Sequence, residues 1–247
     1  MSDIIGTSSD DTLNGGSADD KIVGGAGNDS IDAGSGNDTI HAGTGNDTAD
    51  GGSGDDRVNG HDGDDSLNGG GGDDRIHAGD GDDSVSGGSG DDTIRGGDGA
   101  DTLEGASGDE LLSGGDGDDS LDGGWGADTL FGGAGNDTIN AIGGDVVDGG
   151  AGDDQISMGG YSGGNDTIAF GPGSGHDTAT GFSPDSDHIH IGGAAPEDII
   201  LAPTGNPKIW VMTLDGVPGA SLTLDFTYHW NSSIDEADSL DRVLTND

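Results

Sequence analysis

The 247 residues include no cysteine, six prolines, only 4% aromatic side chains, and six lysines and arginines against 50 aspartates and glutamates. Without cysteine there is neither a disulfide frame nor a thiolate metal site. The formal charge of −44 excludes a basic surface for nucleic acid, whose phosphates need Lys and Arg. No run approaches the roughly 18 apolar residues of a membrane-spanning helix. Met1-Ser2-Asp3-Ile4-Ile5-Gly6 does not have the basic and apolar regions of a cleavable leader. With 28% hydrophobic residues, composition alone describes a chain with too little apolar surface to hold itself folded.

What is abundant is glycine, 56 residues of it, and it is periodic. From Gly6 a nine-residue phrase, G-G-x-G-x-D-x-U-x with U aliphatic, repeats fifteen times without losing register; Gly24-Gly25-Ala26-Gly27-Asn28-Asp29-Ser30-Ile31-Asp32 is a clean copy. Its sixth position reads Asp11, Asp20, Asp29, Asp38, Asp47, Asp56, Asp65, Asp74, Asp83, Asp92, Asp101, Glu110, Asp119, Asp128 and Asp137, and Asp154 recurs in a later copy. Its eighth carries residues such as Leu13, Ile22, Ile31, Ile40, Val58 and Leu67. Calcium takes six to eight hard oxygen ligands from carboxylates and carbonyls. Glycines that turn through positive φ can aim several carbonyls at one point, and the position 6 Asp adds charge there. Each phrase therefore reads as a six-residue loop and a three-residue strand whose middle side chain points inward. Two phrases, about 18 residues, close one coil of a solenoid, and loops on one edge stack at the strand spacing of about 4.8 Å.

The phrase resembles the calcium-binding nonapeptide of RTX (repeats-in-toxin, haemolysin-type) proteins, over residues 6–157. The resemblance implies an all-β fold, a right-handed parallel β-roll, with Ca²⁺ between loops i and i+2. It nominates the Asp column, Asp11 through Asp137 together with Asp154, as ligands, alongside backbone carbonyls. Glu110 departs from the pattern, and its extra methylene is expected to push the carboxylate too far into the site. Ser9 and Ala18 replace the third glycine at the N-terminal edge. The resemblance also implies a secreted, extracellular bacterial protein exported by type I secretion machinery through an uncleaved C-terminal signal, with no catalytic residues.

Residues 1–157 form the expected roll. Register slips after Asn140, where 141–148 is one residue short, and the phrases then degenerate through Asn165-Asp166-Thr167-Ile168 and Gly175-His176-Asp177-Thr178. Residues 158–247 read as a β-rich cap: a strand at 209–214, a turn at 215–219, alternation through Leu222, Leu224, Phe226, Tyr228 and Trp230, and a capping box at Ser233-Ile234-Asp235-Glu236 opening a short helix. Solenoids need such covers at their open ends. Gly160-Tyr161-Ser162-Gly163-Gly164 fits G-x-S-x-G, but in a glycine-rich chain without strand-turn-helix context it carries no catalytic reading.

Alternate phrases build opposite sheets, so their outward residues are read separately. One set carries hydroxyls at position 7: Thr12, Ser30, Thr48, Ser66, Ser84, Thr102, Ser120 and Thr138. The other takes every basic residue of the repeats, Lys21, Arg57, Arg75 and Arg95, with His41 and His77. A solvated surface accounts for both patterns. The alternative is a docking face, with a basic strip for an extracellular polysaccharide.

Overall fold

The computed structural model describes residues 3–159, 165–171, 173–181, 187–191, 199–203, 209–214, 221–225 and 244–245. They form a parallel β-solenoid of about ten turns, and none of them is helical. Strands alternate between two sheets. Sheet I runs from Asp3–Ile5 through Lys21–Ala26, Thr39–Thr44, Arg57–Asp62 and every second strand beyond. Sheet II runs from Thr12–Gly16 through Ser30–Gly34, Thr48–Ser53 and Ser66–Gly71. The repeat sets the register: Thr39 pairs with Arg57 and Ile40 with Val58 on sheet I, and Ser84 with Thr102 on sheet II.

The expected three-residue strand is a correction: most strands are six residues long, as in Thr39–Thr44 and Ser84–Ser89. Pairing continues from position 9 through positions 1 to 3 of the following phrase. Position 1 turns inward beside position 8, so Ala33, Ala42, Ala78 and Ala141 are fully buried, and glycine serves at most other coils. In the regular repeats the core is thus two rows, one of Ile, Leu and Val with Ala49, the other of the smallest side chains. The bulky row fills the space between the sheets, and position 1, next to the loop, holds glycine or alanine through the regular repeats and Met158, Phe170 and Ile191 in the later coils.

The loops are as tight as the glycine spacing demands. Gly43 and Gly45 have φ of 128° and 118°, and a Cβ on either would collide with the carbonyl oxygen of Gly25 or Gly27 in the preceding coil. Only glycine lets coils approach this closely at those positions.

The slip at 141–148 is absorbed within a coil: the strand Thr129–Ala134 pairs with Val146–Ala151 in register, and Gly133 lies opposite Gly150. The degenerate phrases join the same two sheets through Gln155–Met158, Thr167–Phe170, His176–Thr180 and His188–Ile191. Beyond them the ladder changes sense. Ser221–Asp225 pairs parallel with His176–Thr180 but antiparallel with Ile209–Leu214, which pairs antiparallel with Ile199–Pro203. Leu244–Thr245 closes onto Ile189 and His190 of sheet I. The strand expected at 209–214 is present. The turn at 215–219, the helix opened by Ser233 and the residues Phe226, Tyr228 and Trp230 lie outside the described residues.

Candidate metal centre

Every position 6 side chain sits where its loop turns into a strand, and the coil stacks these residues in two columns, one along each edge. One column holds Asp11, Asp29, Asp47, Asp65, Asp83, Asp101, Asp119, Asp137 and Asp154. The other holds Asp20, Asp38, Asp56, Asp74, Asp92, Glu110 and Asp128. From Asp20 onward they are buried, none more than 3% exposed. Each Asp from Asp29 on accepts a hydrogen bond through Oδ1 from the backbone N–H of the acidic residue one coil earlier: Asp56 N–H to Asp74 Oδ1 at 2.7 Å, Asp65 N–H to Asp83 Oδ1 at 2.7 Å, Asp101 N–H to Asp119 Oδ1 at 2.8 Å. The second oxygen, Oδ2, is buried without a hydrogen-bond partner from Asp29 and Asp38 through Asp154, Glu110 contributing both of its oxygens.

A cradle surrounds that orphaned atom. The Cα of the position 1 glycine five residues earlier packs against it, and a Cβ at Gly69, Gly96 or Gly114 would strike Oδ2 of Asp74, Asp101 or Asp119. Buried acceptors without donors are costly, and a column of carboxylates one coil apart adds like-charge repulsion. Burial pushes Asp74, Asp83 and Asp119 up to about 7 and Asp56, Asp65, Asp92 and Asp137 up to about 6, against the smaller opposing effect of the backbone N–H bond. A hard cation between coils resolves both costs, since it takes oxygen donors and favours the ionised form. Among the described residues no three His, Asp or Glu side chains gather as a ligand set. The columns offer carboxylates one coil at a time, so backbone carbonyls and water are left to supply the remaining ligands. That donor set, all oxygen and carboxylate-poor per step, fits calcium.

Four acids outside the nominated set continue the columns. Asp145, Asp166, Asp177 and Asp187 are buried, and Asp128, Asp145, Asp154 and Asp166 donate their N–H groups to Asp145, Asp166, Asp177 and Asp187 at 2.9–3.4 Å. Their coils depart from the regular length, with links spanning 17, 21 and 23 residues, which hid them from a nine-residue count. The usable signal was the Asp followed two residues later by an inward residue: Val147, Ile168, Ala179 and Ile189.

Both ends of the expected list differ from its middle. Asp11 is half-buried, and its Oδ2 is taken by the N–H and hydroxyl of Thr7 at 2.6 and 2.8 Å. Glu110 occupies its place in the column, yet neither of its carboxylate oxygens takes up the N–H of Asp92. Burial, and then crowding by the Asp128 carboxyl, push it up to about 8.

A second ladder went unnoticed in the sequence. At position 5, side-chain Oδ1 of one coil accepts from the backbone N–H of the next: Asp55 to Asn37 at 3.1 Å, Asp73 to Asp55 at 3.2 Å, Asp91 to Asp73 at 3.0 Å. Its polarity is opposite to that of the position 6 ladder, so each loop is tied forward by one residue and backward by its neighbour. The recurrence of Asn or Asp at position 5 was its signal.

The outward faces differ as the phrases implied. From Lys21–Ala26 to Thr129–Ala134, positions 7 and 9 of sheet I carry no carboxylate: Arg57 lies opposite Arg75, and Arg95 opposite His77. Further along, Leu111, Phe131 and Val146 are exposed on the same sheet. On sheet II the hydroxyl column is in register, Ser66 beside Ser84 beside Thr102, with Asp32, Asp50, Glu104 and Asp122 along it. No helix among the described residues is long and apolar enough to cross a membrane.

A family profile described as RTX calcium-binding nonapeptide repeat (4 copies) matches residues 5–40, 32–67, 41–76, 68–103, 104–139 and 142–160. No curated protein matches the chain. Among solved structures it is similar to the extracellular lipase LipA from Serratia marcescens, at 21% identity over 86% of this chain and 40% of that one, with a TM-score of 0.38. It is also similar to the AlgE6R2 subunit of the Azotobacter vinelandii mannuronan C5-epimerase, at 20% identity over 53% of this chain and 89% of that one, with a TM-score of 0.36. The chain spans 40% of the lipase's length, and neither superposition is close enough to compare sites.

Proposed function

Because the chain belongs to the RTX calcium-binding nonapeptide-repeat family, we propose that it is a non-catalytic extracellular module whose folding is gated by calcium. The nominated ligands are Asp11 to Asp137 at position 6, with Asp154, and the geometry extends the proposal to Asp145, Asp166, Asp177 and Asp187. One observation carries the reading: two columns of buried carboxylates, each with one oxygen bonded to backbone and the other facing a glycine cradle without a partner. When bound, calcium supplies positive charge and six to eight oxygen contacts per ion. The aspartates hold the coils in register through Oδ1, while the position 2 and 4 glycines let the loops close. In a cell poor in free calcium the same residues leave a polyanion without enough core to fold, a form suited to export. Sites of extracellular modules work at about 10⁻⁴–10⁻³ M calcium. This supports a secreted bacterial protein carried by type I secretion machinery. Far-UV circular dichroism should show coil in chelator and β structure in millimolar calcium, with magnesium a poor substitute because it demands tight octahedral geometry. A chain equally folded in chelator would contradict the proposal.

A second reading is favoured by the basic strip at positions 7 and 9 of sheet I, although exposed Asp62, Asp80, Asp98 and Asp116 line the same strands at position 3. Like charges directly opposite on neighbouring strands are unfavourable, yet Arg57 and Arg75 sit so, in a chain with six basic residues. An acidic polysaccharide lying across these strands would relieve that repulsion, giving a polysaccharide-binding or adhesin role. Replacing Arg57 and Arg75 by Ser should abolish retention on an acidic polysaccharide in calcium; equal retention would exclude this face.

A further inference from the structure

Position 2 of the phrase is held at positive φ, and among the described repeats only His61 and Ala106 put a side chain there with φ of 86° and 80°. A non-glycine residue in this region is strained, and such strain marks a place where the surroundings or a function hold the side chain. Ala106 brings only a methyl. His61 brings an imidazole, opposite Gly43 on the neighbouring strand, where no side chain obstructs it. Its Nε2 lies 3.5 Å from Nδ1 of His41, with ring centroids 5.7 Å apart and planes inclined by 35°. Both side chains lie at the surface, His61 exposed and His41 half-buried.

We propose that His41 and His61 chelate one tetrahedral divalent transition metal, zinc by preference, on the outer face of sheet I, separate from the calcium columns. A tetrahedral ion with metal–nitrogen bonds of about 2.0–2.1 Å separates two ligand nitrogens by about 3.3–3.4 Å. A square-planar ion would require about 2.9 Å, which favours zinc over copper. The observed 3.5 Å needs only a small rotation of two surface rings to meet the first value. Sheet pairing fixes the backbones under both rings, so little order is lost on binding. Two water molecules complete the shell, which leaves the ion open to a further ligand. The alternative for so close a contact is a plain hydrogen bond between complementary tautomers.

The site rests on the calcium-folded roll, so the test begins with the full chain saturated in calcium and shown by circular dichroism to be folded. Cobalt(II) serves as the probe, because tetrahedral nitrogen ligation gives intense visible bands that octahedral carboxylate binding does not. The expected result is one equivalent of tetrahedral cobalt, displaced by zinc, and absent in both His41→Gln and His61→Gly. Calcium-induced folding should persist in both variants. His61→Gly should melt no lower than the parent, since glycine removes the Cβ penalty at that φ. Tetrahedral cobalt retained by either single variant would place the site elsewhere, and a folded parent that binds no more zinc-displaceable cobalt than the two variants would show a plain hydrogen bond; either overturns the proposal. Failure of the parent to fold in calcium would instead count against the calcium reading.

Discussion

Asp74 has two functions in one carboxylate. Its Oδ1 holds the N–H of Asp56, and its Oδ2 is buried and unpartnered in a column that continues on both sides. Asp74→Ala removes a buried backbone tie and a ligand candidate shared with both neighbouring coils. The calcium needed for half-maximal folding should rise several-fold. Asp11→Ala should shift it much less, because Asp11 is half-buried and satisfied by Thr7. Equal shifts in calcium titrations of the two variants would contradict shared, stacked sites. Glu110 supplies the converse experiment. Glu110→Asp restores a side chain of the length that bonds at every neighbouring link, and should recover the tie to the Asp92 N–H. Its melting temperature in calcium should rise by an amount matching about 1 kcal/mol. A lower value would show that the loop, strained at Ala106 with φ of 80°, has adapted to glutamate.

The strand and its loop were only partly legible. Position 8 announced itself, because one large aliphatic residue in nine can face only inward in a chain this polar. The columns of Asp29 to Asp137 were legible for the same reason of phase. Position 1 was not, since glycine and alanine look alike whether they pack or merely permit a turn; only the complete burial of Ala33 and Ala42 shows an inward row. The six-residue strands were missed because glycine is a poor strand former, whereas here the next coil's ladder holds it extended. Asp145 and Asp166 escaped because loops changed length while strands kept register. Paired strands also bring the carboxylates together, with a consequence for pH. Burial raises Asp56, Asp65, Asp74, Asp83 and Asp119 to about 6–7, above about 3.9 in an unfolded chain. The folded pKa lies above the unfolded one, so in chelator this contribution is fully present below about pH 4 and is lost as pH rises through 6–7. β structure in chelator should therefore grow on acidification from neutral pH. In calcium the dependence should reverse, since ligands must be ionised to bind. Circular dichroism against pH, with and without calcium, checks both signs; parallel curves would contradict the buried columns.

The whole molecule is a stack in which each coil contacts only its neighbours, so its stability is close to a sum of coil and interface contributions, and folding could begin anywhere. The ends are not equivalent. At the N-terminal end the strand Asp3–Ile5 leaves Ile5 73% exposed and Asp11 only half-buried. At the other end the parallel sheets meet an antiparallel group, Ser221–Asp225 with Ile209–Leu214 and Ile199–Pro203, joined directly to the strand His176–Thr180. Antiparallel strands that follow closely in sequence order at lower entropic cost than parallel strands paired 18 residues apart, and this segment is richer in aliphatic residues than any repeat. It is therefore the natural template on which the first coil orders, with later coils adding toward Gly6. In a protein exported C-terminus first, that polarity would let folding outside oppose return. A chain ended after Gly159 should fail to fold in millimolar calcium, or need several-fold more calcium with lower cooperativity. If residues 1–159 fold at the same calcium concentration and as steeply as the full chain, the C-terminal strands only cover the roll, and its folding starts within the repeats.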